Sequence, residues 1–401
     1  MSQPTSVATP EARIRETRSF NWFLASTFAS AVGRNGYHIA CAWLLIVWGH
    51  GSAAVAGFFT IISLTELVVS PFAGWLADRF DRRALYVAAE IVRAVAASVL
   101  GATLLSSNVL WMISLSAALF ATCDRIALTA SQSMIPTISA RYSLATANSM
   151  TFFLMQFGSL AAASLIGVLL HAASAPYAFG TIATGFFIST ICMWTLRREK
   201  RVFGDPREAR ADSLAIDFQF LCLGAVYALL YTGGMLVSVN GPSFVFDEHG
   251  GSAIDFGQLE SAWSAGSIVG ALLLIPLIRS AKLPALQLVI LGLSAVAFVF
   301  LKVLNLHAAF VAFALLGTLY NLGRVALEVM LQSNVSSATL GRAKGVLHSI
   351  GVLLGVVLFA VVSVVADDIR PSTIFLCYGA VLTVGTVVLI FCRARAARSA
   401  A

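Results

Sequence analysis

The stretch Gly74-Trp75-Leu76-Ala77-Asp78-Arg79-Phe80-Asp81-Arg82-Arg83 sits between two long, mostly apolar runs. Five of its ten residues are charged, and arginine outnumbers aspartate. A short basic turn between two apolar runs reads as a hairpin joining two membrane helices, with its arginines held at the aqueous surface.

The rest of the chain agrees. Apolar residues make up 59% and charged residues 11% of the 401 positions, against roughly a quarter charged in soluble domains. Such a chain cannot cover itself with polar surface, so lipid is its solvent. No cleavable leader is expected, because the first eighteen residues are polar and the first apolar run is too long for a signal core. Cys41, Cys123, Cys192, Cys222, Cys377 and Cys392 all fall inside apolar segments with no C-x-x-C pair. They read as small core residues, not as disulfides or metal ligands.

Twelve apolar spans are expected, at 20–47, 54–76, 84–106, 109–131, 148–171, 174–196, 218–241, 255–277, 285–304, 308–332, 345–366 and 372–392. With the N-terminus inside, the cytoplasmic segments hold 20 of the 26 Lys and Arg residues. The external loops hold Arg370, and Arg34, Arg93, Arg125, Lys302 and Arg324 fall within helices. By the positive-inside rule both termini are cytoplasmic. The basic pI near 9.3 is therefore a topological signal and not a nucleic-acid footprint.

One polar segment, Arg197 to Asp217, interrupts the pattern and carries the turn Gly204-Asp205-Pro206. It divides the chain into a tail (1–18), a six-helix bundle (19–196), a linker (197–217), a second six-helix bundle (218–392) and a short tail (393–401). The bundles repeat at an offset near 200: Arg125-Ile126-Ala127-Leu128 recurs as Arg324-Val325-Ala326-Leu327, and Gly57 as Gly257.

The hairpin, built as G-x-L-A-D-R-x-D-R-R, resembles the loop between helices two and three of the major facilitator superfamily. Glu90 with Arg93 three residues on, Met134-Ile135-Pro136, Ala147-Asn148-Ser149 and Gly341-Arg342 are similar to its enterobactin-exporter-like branch. The resemblance implies an all-α bundle of twelve transmembrane helices in two pseudosymmetric halves of the same orientation. Helices one, two, four and five of each half would line a central cavity, and three and six would mostly face lipid. It implies alternating access in a bacterial inner membrane, and export of a small organic molecule, siderophore-like or drug-like, coupled to proton entry. In such hairpins the glycine (Gly74) permits close helix approach, Asp78 accepts hydrogen bonds from neighbouring helix ends, and Arg82 and Arg83 form ion pairs that break between states. Two departures stand out. Gly33 is followed by Arg34-Asn35 where the branch carries an acid, and Ala162-Ala163 replaces the glycine-proline of many antiporters.

Charges inside a bilayer cost several kcal/mol unless paired or hydrated, so each needs an account. Thr27, Ser30, Arg34 and His38 recur at helical spacing as one polar stripe. Arg34, near the bilayer midplane, suits a carboxylate, catecholate or phosphate, or an ion pair with a neighbouring acid. Glu66 is the first candidate for a coupling proton, the competing reading being a fixed bridge to Arg34. Asp124 is a second candidate. Arg125 and Arg324, as repeat equivalents in the cytoplasmic parts of helices four and ten, read as gate or hairpin braces. Glu90 and Arg93 are expected to pair with each other or with the hairpin. Glu260, Ser264 and Ser267 form a stripe on helix eight, and Tyr227 and Tyr231 share one face of helix seven, suited to an aromatic or amphipathic ligand. His307 and His348 read as structural. No nucleotide, metal or nucleophile motif is present, so neither an enzyme nor a cofactor is expected, and the partners are a small molecule, protons and lipid around a monomer. Alternatives are multidrug efflux, anion uptake, or a sensor that keeps the fold without transporting.

Overall fold

The computed structural model describes residues 10–104, 110–139, 142–196, 218–280, 283–335, 339–366 and 368–399. The expected linker at 197–217, and the extreme ends of both expected tails, lie outside them.

Without water in hydrocarbon, backbone N–H and C=O groups must be satisfied within the segment, and the α-helix does so at every residue. All twelve apolar runs are helical. The first half holds α1 (Pro10–Val47), α2 (Gly51–Arg79), α3 (Arg82–Thr103), α4 (Leu110–Ile138), α5 (Leu144–Ala172) and α6 (Ala175–Trp194). The second holds α7 (Phe218–Ser243), α8 (Ala253–Ser280), α9 (Leu283–Phe300), α10 (Leu306–Asn334), α11 (Leu340–Val365) and α12 (Pro371–Ser399). Among the described residues, ten of these helices are long and apolar enough to cross a membrane by length and composition. The other two, α1 and α8, carry the polar stripes.

Local chemistry sets the ends. Asp81 caps α3 by accepting from the N–H groups of Arg83 (2.9 Å) and Ala84 (3.2 Å). Ser143 and Asn305 do the same for α5 and α10. The α1–α2 turn passes through the left-handed region at Gly49 (φ 77°) and Gly51 (φ 69°), which favours glycine.

Two boundaries differ from expectation. Helix α4 runs through Pro136 to Ile138, seven residues past the apolar run, because helical hydrogen bonding continues into the interface after hydrophobicity fades. This puts Asp124 and Arg125 at the middle of α4, not in its cytoplasmic part. Helix α9 stops at Phe300 after 18 residues, so Lys302 lies in a turn outside the helix. There its Nζ donates to Thr373 Oγ1 (2.7 Å) and Ser372 Oγ (3.3 Å).

Within the first half α1 packs on α5 and α6, α3 on α4 and α6, and α2 on α4. Within the second, α8 packs on α10, α9 on α10 and α12, and α7 on α11. The halves meet chiefly through α5 with α8 and α2 with α11. These contacts gather at the end opposite the 79–82 hairpin. There Trp43 stacks on Phe256 (centroids 5.5 Å) and meets the edge of Phe246 (5.6 Å), and Ser52 and Ser243 share a hydrogen bond. A Cβ built on Gly257 would lie 2.6 Å from Ala163 O, so backbone touches backbone. Nearer the hairpin, nothing lies within 4 Å of a Cβ built on Gly74 or Gly345, so the close helix approach expected at Gly74 is absent.

The tightest seam is α8 on α10. Gly266 and Gly270, four residues apart, face Ala314 and Thr318, and a Cβ on Gly266 would collide with Ala314 O. Small residues one turn apart let two backbones touch where lipid supplies no hydrophobic drive for association. Gly266→Val should lower the thermal unfolding midpoint in detergent, by the equivalent of about 1–3 kcal/mol of overpacking, whereas Gly74→Ala should leave it unchanged. Equal midpoints for the two variants would contradict this account of the seam.

Candidate transport site

Four helices of the first half bring their charges to one depth. Asp124, at the middle of α4, accepts from Arg93 Nη1 of α3 at 2.7 Å through Oδ1. Its Oδ2 lies 3.7 Å from Arg34 Nη1 of α1. Arg93 also pairs with Glu90, and these two side chains are 1% and 0% exposed. The row Arg34–Asp124–Arg93–Glu90 thus alternates cation and anion. Its inner end is fixed: the Arg93 guanidinium lies 4.5 Å over the Phe186 ring of α6, and Ser30 donates to Glu90 Oε1 at 2.9 Å. Its outer end is loose. Among the described residues the Arg34 guanidinium makes no hydrogen bond, and its side chain keeps 22% exposure.

The expected stripe on α1 is therefore shared out. Thr27 turns back to Phe23 O (2.9 Å), Ser30 serves Glu90, and Arg34 makes the expected ion pair with an acid of a neighbouring helix, Asp124, at 3.7 Å. His38 sits among the rings of Tyr37, Phe58 and Phe59. Glu90 and Arg93 pair with each other, as one of the two expected readings has it, but the hairpin is not their partner. Nor does this face of α3 look to lipid, since unpaired charges there would be far costlier than the internal row.

Glu66, half-buried on α2, has no ion pair among the described residues, so the fixed Glu66–Arg34 bridge is absent. It lies within electrostatic reach of Asp124, Arg125 and Arg34. Arg125 is held on α2 by a 2.6 Å bond from Nε to Ser70 Oγ. Arg324 stacks over Phe152 of α5 at 4.9 Å and donates to Asn321 Oδ1 at 3.4 Å. Neither arginine reaches the hairpin, so neither braces it.

Across the cavity the second half is aromatic. Tyr227 and Tyr231 stack at 5.5 Å with 12° between their planes. His348 of α11 meets the edge of Tyr231 at 5.9 Å, and its Nδ1 lies 3.4 Å from Tyr227 Oη. Tyr231 is in turn within electrostatic reach of Glu66 and Arg125, which joins the two walls. Trp263 and Tyr320 pack 5.4 Å apart. On α8, Ser264 pairs with Ser159 of α5 (3.1 Å) and Ser267 donates to Gly317 O (3.3 Å). Glu260, one turn before Ser264, has no hydrogen bond or ion pair among the described residues. The sequence pattern gave His348 no partner, because Tyr227 lies 121 positions away and no local spacing reports the contact.

At the hairpin, Arg82 donates to Ser133 O of α4 (2.8 Å), and Arg83 to Met193 O (3.2 Å) and Trp194 O of α6. The arginines thus strap the hairpin to two helix ends through carbonyls, not through ion pairs. Asp78 is exposed and makes no hydrogen bond or ion pair among the described residues. Cys41, Cys123, Cys192 and Cys222 are buried as expected, whereas Cys377 and Cys392 of α12 are exposed. No group of three or more His, Cys, Asp or Glu with metal-binding geometry occurs among the described residues.

Comparison with known proteins gives the same answer by an independent route. The model of the Major Facilitator Superfamily matches residues 20–360. The chain is 26% identical over 341 residues to the enterobactin exporter EntS of Citrobacter koseri, covering 82% of this chain and 80% of that protein. EntS of Shigella boydii serotype 18 and of Escherichia coli O1:K1 are also 26% identical, over 340 residues each. Among solved structures, the nucleoside transporter NupG superposes with a TM-score of 0.74 as an aspartate-to-alanine mutant and 0.70 without that change. Each superposition covers 93% of this chain at 12% identity, with 99% and 98% of the NupG chains covered. Twelve helices in two like halves, ten of them long and apolar enough to cross a membrane among the described residues, and a family match across most of their length identify the chain as a transporter of the major facilitator superfamily.

Proposed function

We propose that this transporter exports a small organic anion carrying an aromatic ring across a bacterial inner membrane, driven by proton entry. One observation carries the reading. Arg34 is a permanent cation at mid-membrane depth whose donors are unspent, on a wall opposite a stacked tyrosine pair. A planar guanidinium grips carboxylate or catecholate oxygens in pairs, and tyrosine faces take an aromatic ring. Export and a siderophore-like cargo are further supported by the name of the EntS relatives. Arg34, His38, Tyr227, Tyr231 and Glu260 are the proposed contacts. Glu66 is the proposed carrier of the coupling proton, with Asp124 as its alternate, since Glu66 has no fixed ion pair while Asp124 is held by Arg93.

The hairpin end is proposed to be cytoplasmic with both termini, because external basic residues stay few even with Lys302 counted among them. Closure of that end would bring the unengaged Asp78 to a partner on the second half, with Gly74, Arg82 and Arg83 shaping the hairpin, while Arg125 and Arg324 gate the cavity at equivalent depth in each half.

Glu260, an acid without a cationic neighbour, favours a second reading, efflux of lipophilic cations. Binding to purified protein separates the two. Affinity for salicylate, a small aromatic carboxylate, should fall about ten- to hundredfold for Arg34→Ala, the worth of a charge-assisted hydrogen bond. Arg34→Lys should lie between Ala and wild type. Binding of tetraphenylphosphonium that is unchanged or tighter in Arg34→Ala, with no salicylate binding at all, would transfer the conclusion to cation efflux.

Glu66→Gln keeps size and hydrogen bonding but cannot titrate. In proteoliposomes it should abolish accumulation driven by a proton gradient while preserving ligand exchange. Continued concentrative transport would move the coupling role to Asp124 or Glu260.

Asp78→Asn should remain folded and membrane-inserted yet transport at least about tenfold more slowly, because a shift of about 1.4 kcal/mol between two nearly balanced states suffices. Normal rates from a well-expressed Asp78→Asn would remove the hairpin from the mechanism.

A further inference from the structure

The buried pair on α3 is more than helix glue needs. Replacing a buried ion pair with apolar residues of similar volume is often neutral or stabilising, so charge at this depth asks for another reason. Arg93 Nε and Glu90 Oε2 are also buried without hydrogen-bond partners among the described residues.

The second half shows what a structural contact looks like. Arg125 corresponds to Arg324 in the repeat, so Asp124 corresponds to Gly323. There Gln287 of α9, fully buried, donates through Nε2 to Gly323 O at 3.0 Å. The third helix is tied to the fourth in both halves. In the second half a neutral amide does it, and in the first a guanidinium meets a carboxylate.

The distances say what the charged version accomplishes. Asp124 stands between two arginines and is committed to one: 2.7 Å from Arg93, and 3.7 Å from Arg34. Arg93 has nowhere else to go, with Glu90 at its side and Phe186 beneath it. A small pocket lined by Thr27, Ser30, Arg34, Asp124 and Met155 lies alongside. Without Arg93, Asp124 would close the short remaining gap and take the Arg34 donors for itself.

We propose that Arg93 is a positioning residue that holds Asp124 off Arg34, and so keeps the Arg34 guanidinium available to an anionic ligand. The inference rests on the reading of Arg34 as the anion-binding group, but it is testable without any ligand. Phenylglyoxal modifies arginines whose guanidinium is accessible and not held in a close hydrogen-bonded bridge, and peptide mass spectrometry resolves each site. In the full-length protein Arg34 should react readily. Arg93→Gln should slow that reaction about tenfold or more, the worth of a charge-assisted hydrogen bond. Arg93→Gln with Asp124→Asn should restore it to within about twofold, since a neutral amide cannot replace the carboxylate in the bridge.

Should Arg93→Gln fail to fold, Arg93→Lys gives the same comparison. It should show weaker protection, again relieved by Asp124→Asn. Unchanged Arg34 reactivity in the Arg93 variant would overturn the proposal. So would a double variant as slow as the single one, because a merely structural role for Arg93 would not be rescued by removing an acid. Salicylate affinity measured on the same proteins should follow the reactivity. Reactivity that follows the expected order without any salicylate binding would retain Arg93 as the positioning residue and discard the anionic cargo.

Discussion

A charge carried into hydrocarbon must find an opposite charge, a strong hydrogen bond or water, and this requirement sorts the polar residues of the bundle. Arg93 and Glu90 meet it by pairing with each other inside the first half. Asp124 meets it on one oxygen and leaves the other near Arg34. Arg125 meets it with a serine hydroxyl. The groups that remain half-satisfied, namely Arg34, Glu66 and Glu260, are those proposed to meet ligand or proton. On that reading recognition is a by-product of placement, because groups that the fold leaves half-satisfied are those a ligand or a proton can use.

The two halves have divided the labour. Their helices correspond one to one, yet the first half concentrates its charges on α1–α4 while the second offers a tyrosine pair, a tyrosine–tryptophan contact and an imidazole. Repeat symmetry survives where it builds the scaffold, as in the paired arginines Arg125 and Arg324. It is lost at Asp124, whose counterpart in the second half is Gly323.

The hairpin, the twelve spans and the family were legible in the sequence because each depends on local features, such as apolar length, a basic turn and residues at fixed spacing. The cavity residues were legible as candidates because a charge within an apolar run is conspicuous. Their partners were not. Arg93 and Asp124 are 31 positions apart and Tyr227 and His348 are 121 apart, and only the packing of helices decides such meetings. Depth was misread where an end was taken from hydrophobicity: α4 continues past its apolar run, which moved Asp124 to the centre. Lys302 was misread in the opposite direction, since the apolar run of α9 continues into a turn.

The end of α9 at Phe300 brings a polar turn close to the lipid. The described part of the helix, Leu283–Phe300, covers roughly 27 Å at ~1.5 Å per residue, and beyond Phe300 the chain turns toward Lys302. Val289, Leu293, Val296 and Phe300 present an exposed stripe along α9, so lipid tails must adapt to it, by thinning the bilayer locally or by accommodating the polar turn at Lys302. Mismatch costs fractions of a kcal/mol per ångström, the same scale as the balance between states of a transporter. The turn at Lys302 is therefore the place where a change in acyl-chain length would first be felt by α9 and by α12, to which Lys302 is hydrogen-bonded.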